Sequence, residues 1–213
     1  GRRKLETIPS EGVSLEARVR RGDRACYIAE PRFAESGLIT SPFLDNRLGC
    51  WLLCLLAEIL ERQPLNFDLV LGATCCEELG GLGAPVLARA IQPDAVICVD
   101  ATYEDEEQGV LLGGGPVLTL SDASVLISPA ARDRLLDFFS DQGIPLQTEV
   151  YNYSGTDSRA FPHSGLPAPV FSLLVPTRGN HTPGEEAGFS DVEALLRGVA
   201  ALAEHAEILT AAG

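Results

Sequence analysis

The sequence predicts an α/β fold of three layers, in which a mixed or mostly parallel sheet has helices on both faces, plus the remnant of a small β domain. Two observations predict this fold. From residue 41 onward, short apolar runs typical of buried strands alternate with longer amphipathic segments typical of helices. The chain also has 213 residues, 46% of them hydrophobic, which is enough for one sizeable domain with its own core.

The first 40 residues are polar and show no helical period. Val13–Val19 alternates apolar and polar residues as a strand does, and Ala25–Ala29 is a second strand-like run. Arg20–Asp23 between them has the composition of a turn. This part of the chain therefore predicts a small β element that is too short to hold a core alone.

Helices and strands alternate in the next part of the chain. A helix with one broad apolar face is predicted over Asn46–Arg62. Asp68–Thr74 predicts a short buried strand, a glycine-rich turn leads into a helix that ends near Ala90, and Ala95–Val99 predicts a second buried strand. This order of strand, helix and strand indicates a parallel pair joined by a crossover helix.

The C-terminal half continues the alternation. The predicted elements are a β-like stretch at Val110–Leu120, a helix over Pro129–Gln142, strands at Leu146–Tyr153 and Val170–Val175, and a closing helix over Ser190–Leu209. Ser190 and Glu193 have the spacing of a capping box for that last helix.

The composition argues against several kinds of partner. There are 30 Asp and Glu against 16 Lys and Arg, and the resulting formal charge of −14 disfavours binding to nucleic acid or to an anionic membrane surface. The longest apolar run, Cys50–Ala57, is too short to span a membrane. Six cysteines without a Cys-x-x-Cys pair indicate buried, free thiols in the reducing cytoplasm.

Acidic residues and one histidine follow the predicted strands or begin the first helix. They are Asp45, Glu77, Glu78, Asp100 and His181. Because ligands in open α/β sheets bind beyond the carboxyl ends of the strands, we expect these side chains to converge. Such a cluster needs protons or metal ions to neutralise it. Its oxygen and imidazole donors suit zinc and related ions.

Each of these residues also has an ordinary structural interpretation. Asp45 has the position of a helix N-cap, and Asp100 that of a carboxylate at a strand end. Glu77 and Glu78 have the composition of a solvated loop, and His181 lies in a Pro/Gly loop typical of the surface. The residues taken singly leave both interpretations open, and their joint arrangement favours a site.

Several motifs occur in a familiar order. They are Leu44-Asp45-Asn46-Arg47, Cys76-Glu77-Glu78-Leu79-Gly80, Val99-Asp100, Gly113-Gly114-Gly115-Pro116, Gly155-Thr156-Asp157 and Arg178-Gly179-Asn180-His181. Together they resemble the motifs of the tetrahedral, dinuclear-metal aminopeptidases, the family of glutamyl and deblocking aminopeptidases of which some members are labelled endoglucanases. The resemblance runs from about residue 19 to the C-terminus.

The resemblance implies a role for each acidic residue. Asp45 would bridge two divalent metal ions, zinc or cobalt. Glu78 and His181 would complete one metal site, and Asp100 would serve the other. Glu77 would be the general base that takes a proton from the attacking water.

The resemblance also implies a reaction and a setting. The protein would be a metal-dependent aminopeptidase that hydrolyses N-terminal residues from short peptides in the cytoplasm, and it would form homo-oligomers. Gly155, Thr156 and Asp157 would lie near the peptide substrate, although a polar turn is the ordinary interpretation of this motif.

The sequence departs from the family in one respect. The family also uses a His-x-Asp motif upstream of the bridging aspartate, and no histidine of this chain precedes Asp45. His163 lies in a loop that nothing marks as a ligand, and His205 falls in the closing helix, as surface histidines do. Only one of the two metal sites is therefore complete as the sequence stands.

Three explanations are open. In the first, the first catalytic segment lies upstream, so that residues 1–40 would be the end of an inserted β domain and residues 41–213 a metallopeptidase catalytic domain without its beginning. The absence of methionine fits this explanation. Alternatively, the protein is a short form with one metal ion, or a degenerate, non-catalytic subunit that binds peptides or assembles.

Overall fold

The computed structural model describes residues 20–123, 125–153 and 155–210. Within these ranges a mixed seven-stranded sheet and six α-helices form the α/β architecture that the sequence predicts. None of the helices in these ranges has the length and hydropathy needed to cross a membrane.

The elements follow one another in a regular order. The strands are β1 (Arg32–Phe33), β2 (Leu38–Ser41), β3 (Val96–Tyr103), β4 (Val117–Asp122), β5 (Gln147–Tyr151), β6 (Val170–Arg178) and β7 (Glu185–Gly188). The helices are α1 (Leu44–Leu60), α2 (Gly83–Ile91), α3 (Pro129–Asp141), α4 (Ala160–His163), α5 (Phe189–Glu204) and α6 (Glu207–Thr210). A turn of 3₁₀ helix, Asp157–Arg159, precedes α4.

The central strand of the sheet is β6. The strand order is β1-β2-β7-β6-β4-β5, and β3 also pairs with β6. The β3–β6 and β4–β5 pairs are parallel, whereas β6 runs antiparallel to β4 and β7. Eight of the nine residues of β6 are buried, as expected for an apolar strand covered on both faces.

Helix α1 packs on the core through one row of leucines. Leu48, Leu52, Leu56 and Leu60 recur every four residues and are at most 6% exposed. The predicted apolar face was broader than the observed one, because Trp51 and Ile59 are 40% and 43% exposed.

The predicted buried strand at Asp68–Thr74 is wrong. This segment pairs with no strand in the described part of the chain, and Leu69 and Val70 are 38% and 49% exposed. Strand β3 pairs instead with β6. The parallel pair predicted between Asp68–Thr74 and Ala95–Val99 is therefore not formed. Apolar composition predicts burial, but strand pairing depends on which backbone lies alongside.

The predicted capping box of the last helix is also wrong. The N-cap position of α5 is Gly188, and no side chain caps the helix there. Asp191, which is fully buried in the first turn, instead accepts hydrogen bonds from the N–H groups of Gly113 (2.7 Å) and Gly115 (2.8 Å). The first turn of α5 therefore fixes the glycine-rich loop before β4.

The N-terminal predictions have mixed outcomes. The turn at Arg20–Asp23 is confirmed, since the N–H of Asp23 donates to the carbonyl of Arg20 at 3.0 Å. Ala25–Ala29 is not a strand, and Val13–Val19 lies outside the described residues. The strands β1 and β2 extend the sheet beside β7, and the domain boundary near residue 40 stays a prediction.

The six cysteines are free, as predicted, but most are not buried. Cys98 is half-buried and the other five are exposed. Cys50 and Cys54 are exposed because they lie on the side of α1 opposite the buried leucine row.

The packing of α1 predicts a large cost for truncating its buried side. Leu52→Ala should lower the free energy of unfolding by about 2–5 kcal/mol, because it removes a fully buried side chain and leaves a cavity. Ile59→Ala on the exposed side of the same helix is the matched control, and its cost should be smaller than about 1 kcal/mol. Urea denaturation measures both, and equal costs would contradict this packing.

Candidate functional site

Three of the side chains singled out in the sequence meet at one point. Nε2 of His181 lies 3.1 Å from Oδ2 of Asp45 and 3.3 Å from Oε1 of Glu78. One potential ligand atom from each residue lies within 4.8 Å of the other two. In the described ranges, no other group of three His, Cys, Asp or Glu residues has this spacing. The side chains of Glu78 and His181 are nevertheless 58% exposed, as expected for residues in surface loops.

Asp45 faces the cluster instead of capping the helix. The side-chain hydrogen bond typical of an N-cap is made by the next residue, because Oδ1 of Asn46 accepts the N–H of Gly49, whereas the Asp45 carboxylate contacts His181. The N-cap interpretation of Asp45 is therefore wrong. Burial raises the pKa of Asp45 and so does neighbouring Glu78, whereas His181 lowers it. The Asp45 carboxylate thus lies in a mostly buried, acidic surrounding that favours a bound cation or proton.

The start of α1 is tied to β3. The Nδ2 group of Asn46 donates to the carbonyl of Val99 at 2.8 Å, and the N–H of Gly49 donates to Oδ1 of Asn46 at 2.9 Å. A Cβ atom at Gly49 would lie 2.3 Å from that oxygen, so glycine is needed there. These contacts hold Asp45 beside Asp100, the residue that follows Val99.

Glu185 joins the two backbones that carry Asp45 and His181. Its carboxylate accepts the N–H of Asp45 at 2.9 Å through Oε2 and the N–H of His181 at 3.0 Å through Oε1. Glu185 is only 2% exposed. This role was not predicted. In the sequence, Glu185 is marked only as an acidic residue directly after the Pro183-Gly184 turn.

Glu77 points away from the cluster and towards Arg159. Nη2 of Arg159 lies 2.7 Å from Oε1 of Glu77, and both side chains are about one third exposed. Burial raises the pKa of Glu77, and the guanidinium of Arg159 opposes that rise. Arg159 was not predicted to belong to the site. Its position two residues after the Gly155-Thr156-Asp157 motif is the one sequence feature that points to it.

Asp100 lies close to the cluster without joining it. It is not the last residue of β3, which continues to Tyr103, and Oδ1 of Asp100 accepts the N–H of Ala101 at 2.9 Å. Burial raises the pKa of Asp100 well above its usual range, and the charge of Asp45 raises it further.

A single cavity of about 390 Å³ unites these residues. Asp45, Glu77, Glu78, Asp100 and His181 all line it.

The Gly155-Thr156-Asp157 motif lies partly in this cavity. Gly155 and Thr156 are in its wall. The Asp157 carboxylate accepts a hydrogen bond from the hydroxyl of Thr74, and its other oxygen is buried without a hydrogen-bond partner.

The other two histidines lie elsewhere. His163 is at the exposed end of α4. His205 follows α5, where its half-exposed ring packs edge-on against Phe138. Neither belongs to the cluster.

Sequence comparisons match this chain to aminopeptidases. The profile of the M42 glutamyl aminopeptidase family matches residues 9–197. The chain is 30% identical over 186 residues to the lysyl aminopeptidase of Pyrococcus furiosus, covering 83% of this chain and 50% of that protein. It is 30% identical over 143 residues to the glutamyl aminopeptidase of Lactococcus lactis, covering 64% and 40%. The chain spans about half the length of the curated relatives it matches.

Solved structures confirm the fold class. An aminopeptidase from the archaeon Desulfurococcus kamchatkensis superimposes with a TM-score of 0.80 at 25% identity, covering 89% of this chain and 55% of that one. The TET1 peptidase of Pyrococcus horikoshii, described as assembling into a tetrahedron or a large octahedral shell, gives a TM-score of 0.79 at 26% identity. That match covers 88% of this chain and 56% of the other.

The position of Glu185 predicts a stability effect. Glu185→Gln replaces one accepting oxygen by an N–H donor, so one of the two backbone N–H groups loses its partner. The free energy of unfolding should fall by about 1.5–3 kcal/mol, the value of a hydrogen bond to a charged group. Glu186→Gln, which removes a surface ion pair with Arg178, should cost less than about 1 kcal/mol. Urea denaturation compares them, and a negligible effect of Glu185→Gln would contradict the bridging role.

Proposed function

The chain belongs to the M42 glutamyl aminopeptidase family, and we propose that it acts as a metal-dependent aminopeptidase that releases N-terminal residues from short peptides. The family resemblance indicated by its motifs is confirmed by this match. The observation that carries the proposal is the convergence of Asp45, Glu78 and His181 beside Glu77 in one cavity.

The cluster fits a divalent metal ion. Two carboxylates and one imidazole within 4.8 Å of one another are donors that Zn²⁺ and Co²⁺ accept. We assign Asp45, Glu78 and His181 to one ion, and Asp45 with Asp100 to a second ion whose ligand set these residues leave incomplete. An ion bound there would polarise the scissile carbonyl and lower the pKa of a water molecule.

Glu77 is our candidate for the general base. It is adjacent to Glu78 in sequence, but its carboxylate pairs with Arg159 instead of joining the cluster. Because Glu77 is not one of the proposed ligands, and Arg159 contacts only its Oε1, the carboxylate would accept a proton from the attacking water and return it to the leaving amine. Its raised pKa, caused first by burial, helps it hold the proton between the two steps.

The cavity also suits a peptide with a free α-amine. The charged α-amine would lie among the carboxylates, and we assign Gly155 and Thr156 to the backbone of the substrate. Asp157 lies behind them, next to Thr74, and supports this wall through its hydrogen bond.

The comparisons and the free cysteines also suggest how the protein assembles and where it acts. The Pyrococcus horikoshii TET1 peptidase can assemble into a tetrahedron or a large octahedral shell, and we propose that this protein forms homo-oligomers too. Its free cysteines fit the reducing cytoplasm, where we place it. Relatives named for glutamyl and lysyl residues differ in specificity, so family membership leaves the preferred residue open.

The role of Glu77 predicts the effect of one isosteric change. Glu77→Gln should lower kcat for peptide hydrolysis by about 10²–10⁴-fold, since the amide cannot take a proton from water. Zinc affinity should stay within a few fold, because Glu77 is outside the cluster. Glu106→Gln, an exposed loop position, is the control.

Steady-state kinetics and zinc titration of the three proteins decide this prediction. Unchanged kcat in Glu77→Gln would exclude Glu77 as the base. Absence of hydrolysis in the unsubstituted, zinc-loaded protein would support a non-catalytic subunit instead.

The raised pKa values predict how zinc stabilises the chain at different pH. The pKa values of Asp45, Glu77 and Asp100 are raised in the folded chain, so it binds these protons more tightly than the unfolded chain does. Without metal, these groups therefore reduce stability as the pH rises from about 4 through their raised pKa values. Zinc would compete with the protons of Asp45 and Asp100, its proposed ligands, so its stabilising effect should grow as the pH rises.

Thermal denaturation with and without zinc tests this dependence. The rise in Tm on adding zinc should be larger at pH 7.5 than at pH 5.5. His181→Ala, which removes one proposed ligand, should abolish most of the rise at both pH values. An equal rise at both pH values, or an unchanged rise in His181→Ala, would contradict the assignment of the site.

A further inference from the structure

The cavity extends beyond the cluster of candidate metal ligands to a buried glutamate. Glu149 in β5 lines the same cavity and is only 4% exposed. Its Oε2 accepts the hydroxyl of Thr102 at 2.6 Å, and its Oε1 accepts that of Thr119 at 2.8 Å. We propose that this end of the cavity binds the side chain of the N-terminal residue and selects lysine or arginine, with Glu149 as the specificity-determining residue. The inference rests on the aminopeptidase function proposed above.

The strand geometry places Glu149 at a suitable distance from the reacting end of a peptide. Asp100 and Thr102 are two residues apart in β3, so their side chains lie on the same face, about 6.6 Å apart along the strand. Thr102 donates to Glu149, so this carboxylate lies next to the residue that is two positions beyond Asp100 in β3. A lysine or arginine side chain has a long flexible stem that ends in a charge and fits this separation.

The charges around Glu149 favour a cation. A carboxylate has about four acceptor positions, and two threonine hydroxyls use one on each oxygen. The neighbouring charges that act most strongly on Glu149 are those of Asp122 and Asp105, both of them carboxylates. Arg159, the arginine in the described wall of the cavity, is already paired with Glu77. A basic substrate side chain would be attracted by these carboxylates, and an acidic one would be repelled.

Three tyrosines add a second feature that favours a cation. Tyr103, Tyr151 and Tyr153 line the cavity, and their ring centroids are 6.0 Å apart for the first pair and 5.9 Å for the second. Tyrosine faces attract ammonium and guanidinium groups, and they also pack against the methylene stem of such side chains. A wall that holds both aromatic rings and a buried carboxylate is suited to a side chain that is apolar along its length and charged at its end.

A metal ion is a poorer occupant of this end of the cavity. In the described part of the chain, Glu149 belongs to no group of three potential ligands with metal-binding spacing. Its hydrogen-bond partners are neutral hydroxyls, and those hydroxyls leave room for one further donor on each oxygen. An organic cation that donates hydrogen bonds matches this environment.

Calorimetric binding to the zinc-loaded protein tests the inference apart from catalysis. L-lysinamide and L-norleucinamide have side chains of similar length that differ in the terminal charge. The Kd of L-lysinamide should be at least tenfold lower than that of L-norleucinamide, and L-glutamic acid α-amide should bind more weakly than both. Equal or weaker binding of L-lysinamide would overturn the proposal, whatever the catalytic activity.

Two variants test whether Glu149 and Tyr151 produce the preference for L-lysinamide. Glu149→Gln keeps the shape of the side chain and should reduce the preference for L-lysinamide to less than threefold, with binding of L-norleucinamide unchanged. Tyr151→Leu removes one ring without touching the carboxylate and should reduce the preference in part. Glu106→Gln is the surface control and should retain the full preference. A full preference in Glu149→Gln would overturn the role of Glu149.

Hydrolysis of lysyl, norleucyl and glutamyl p-nitroanilides separates the two proposals. Release from all three at equal kcat/KM would overturn the selectivity and leave the aminopeptidase function standing. No release from any of them, together with the binding preference for L-lysinamide, would overturn the function and support the pocket. The expected result is a kcat/KM at least tenfold higher for the lysyl substrate.

Discussion

The carboxylate of Glu185 holds together two parts of the chain that carry the candidate metal ligands. It binds the N–H of Asp45 and the N–H of His181, which are 136 residues apart in sequence. Each oxygen of the buried carboxylate has its own donor, so the start of α1 and the loop after β6 are fixed relative to each other. The cluster of Asp45, His181 and Glu78 depends on this link, because supporting hydrogen bonds set the orientation of ligand groups.

An ion pair separates the side chains of two adjacent acidic residues. Arg159 draws Glu77 to one side of the cavity, while Glu78 lies beside His181 on the other. Adjacent glutamates can thus serve as proton acceptor and metal ligand in one site. The same cavity continues to Glu149, so the proposed metal site, base and side-chain pocket would share one cleft.

The meeting of Asp45 and His181 was predictable because one lies at the start of α1 and the other follows β6, and such positions meet at one edge of an α/β sheet. Glu78 also lies there, although the strand expected before it is not formed. Most helices and strands were predictable from their hydrophobic periodicity. The role of Glu185 was not, because its partners are backbone groups that any residue carries. The strand expected at Asp68–Thr74 failed because apolar composition reports burial and cannot report which strand lies alongside.

Crystals soaked in zinc and measured at the zinc absorption edge would test the central claim most directly. We expect an anomalous difference peak about 2.0–2.2 Å from a ligand atom of each of Asp45, Glu78 and His181, the usual zinc–oxygen and zinc–nitrogen distances. A well-ordered cluster without a peak, or a zinc ion bound only elsewhere, would contradict it.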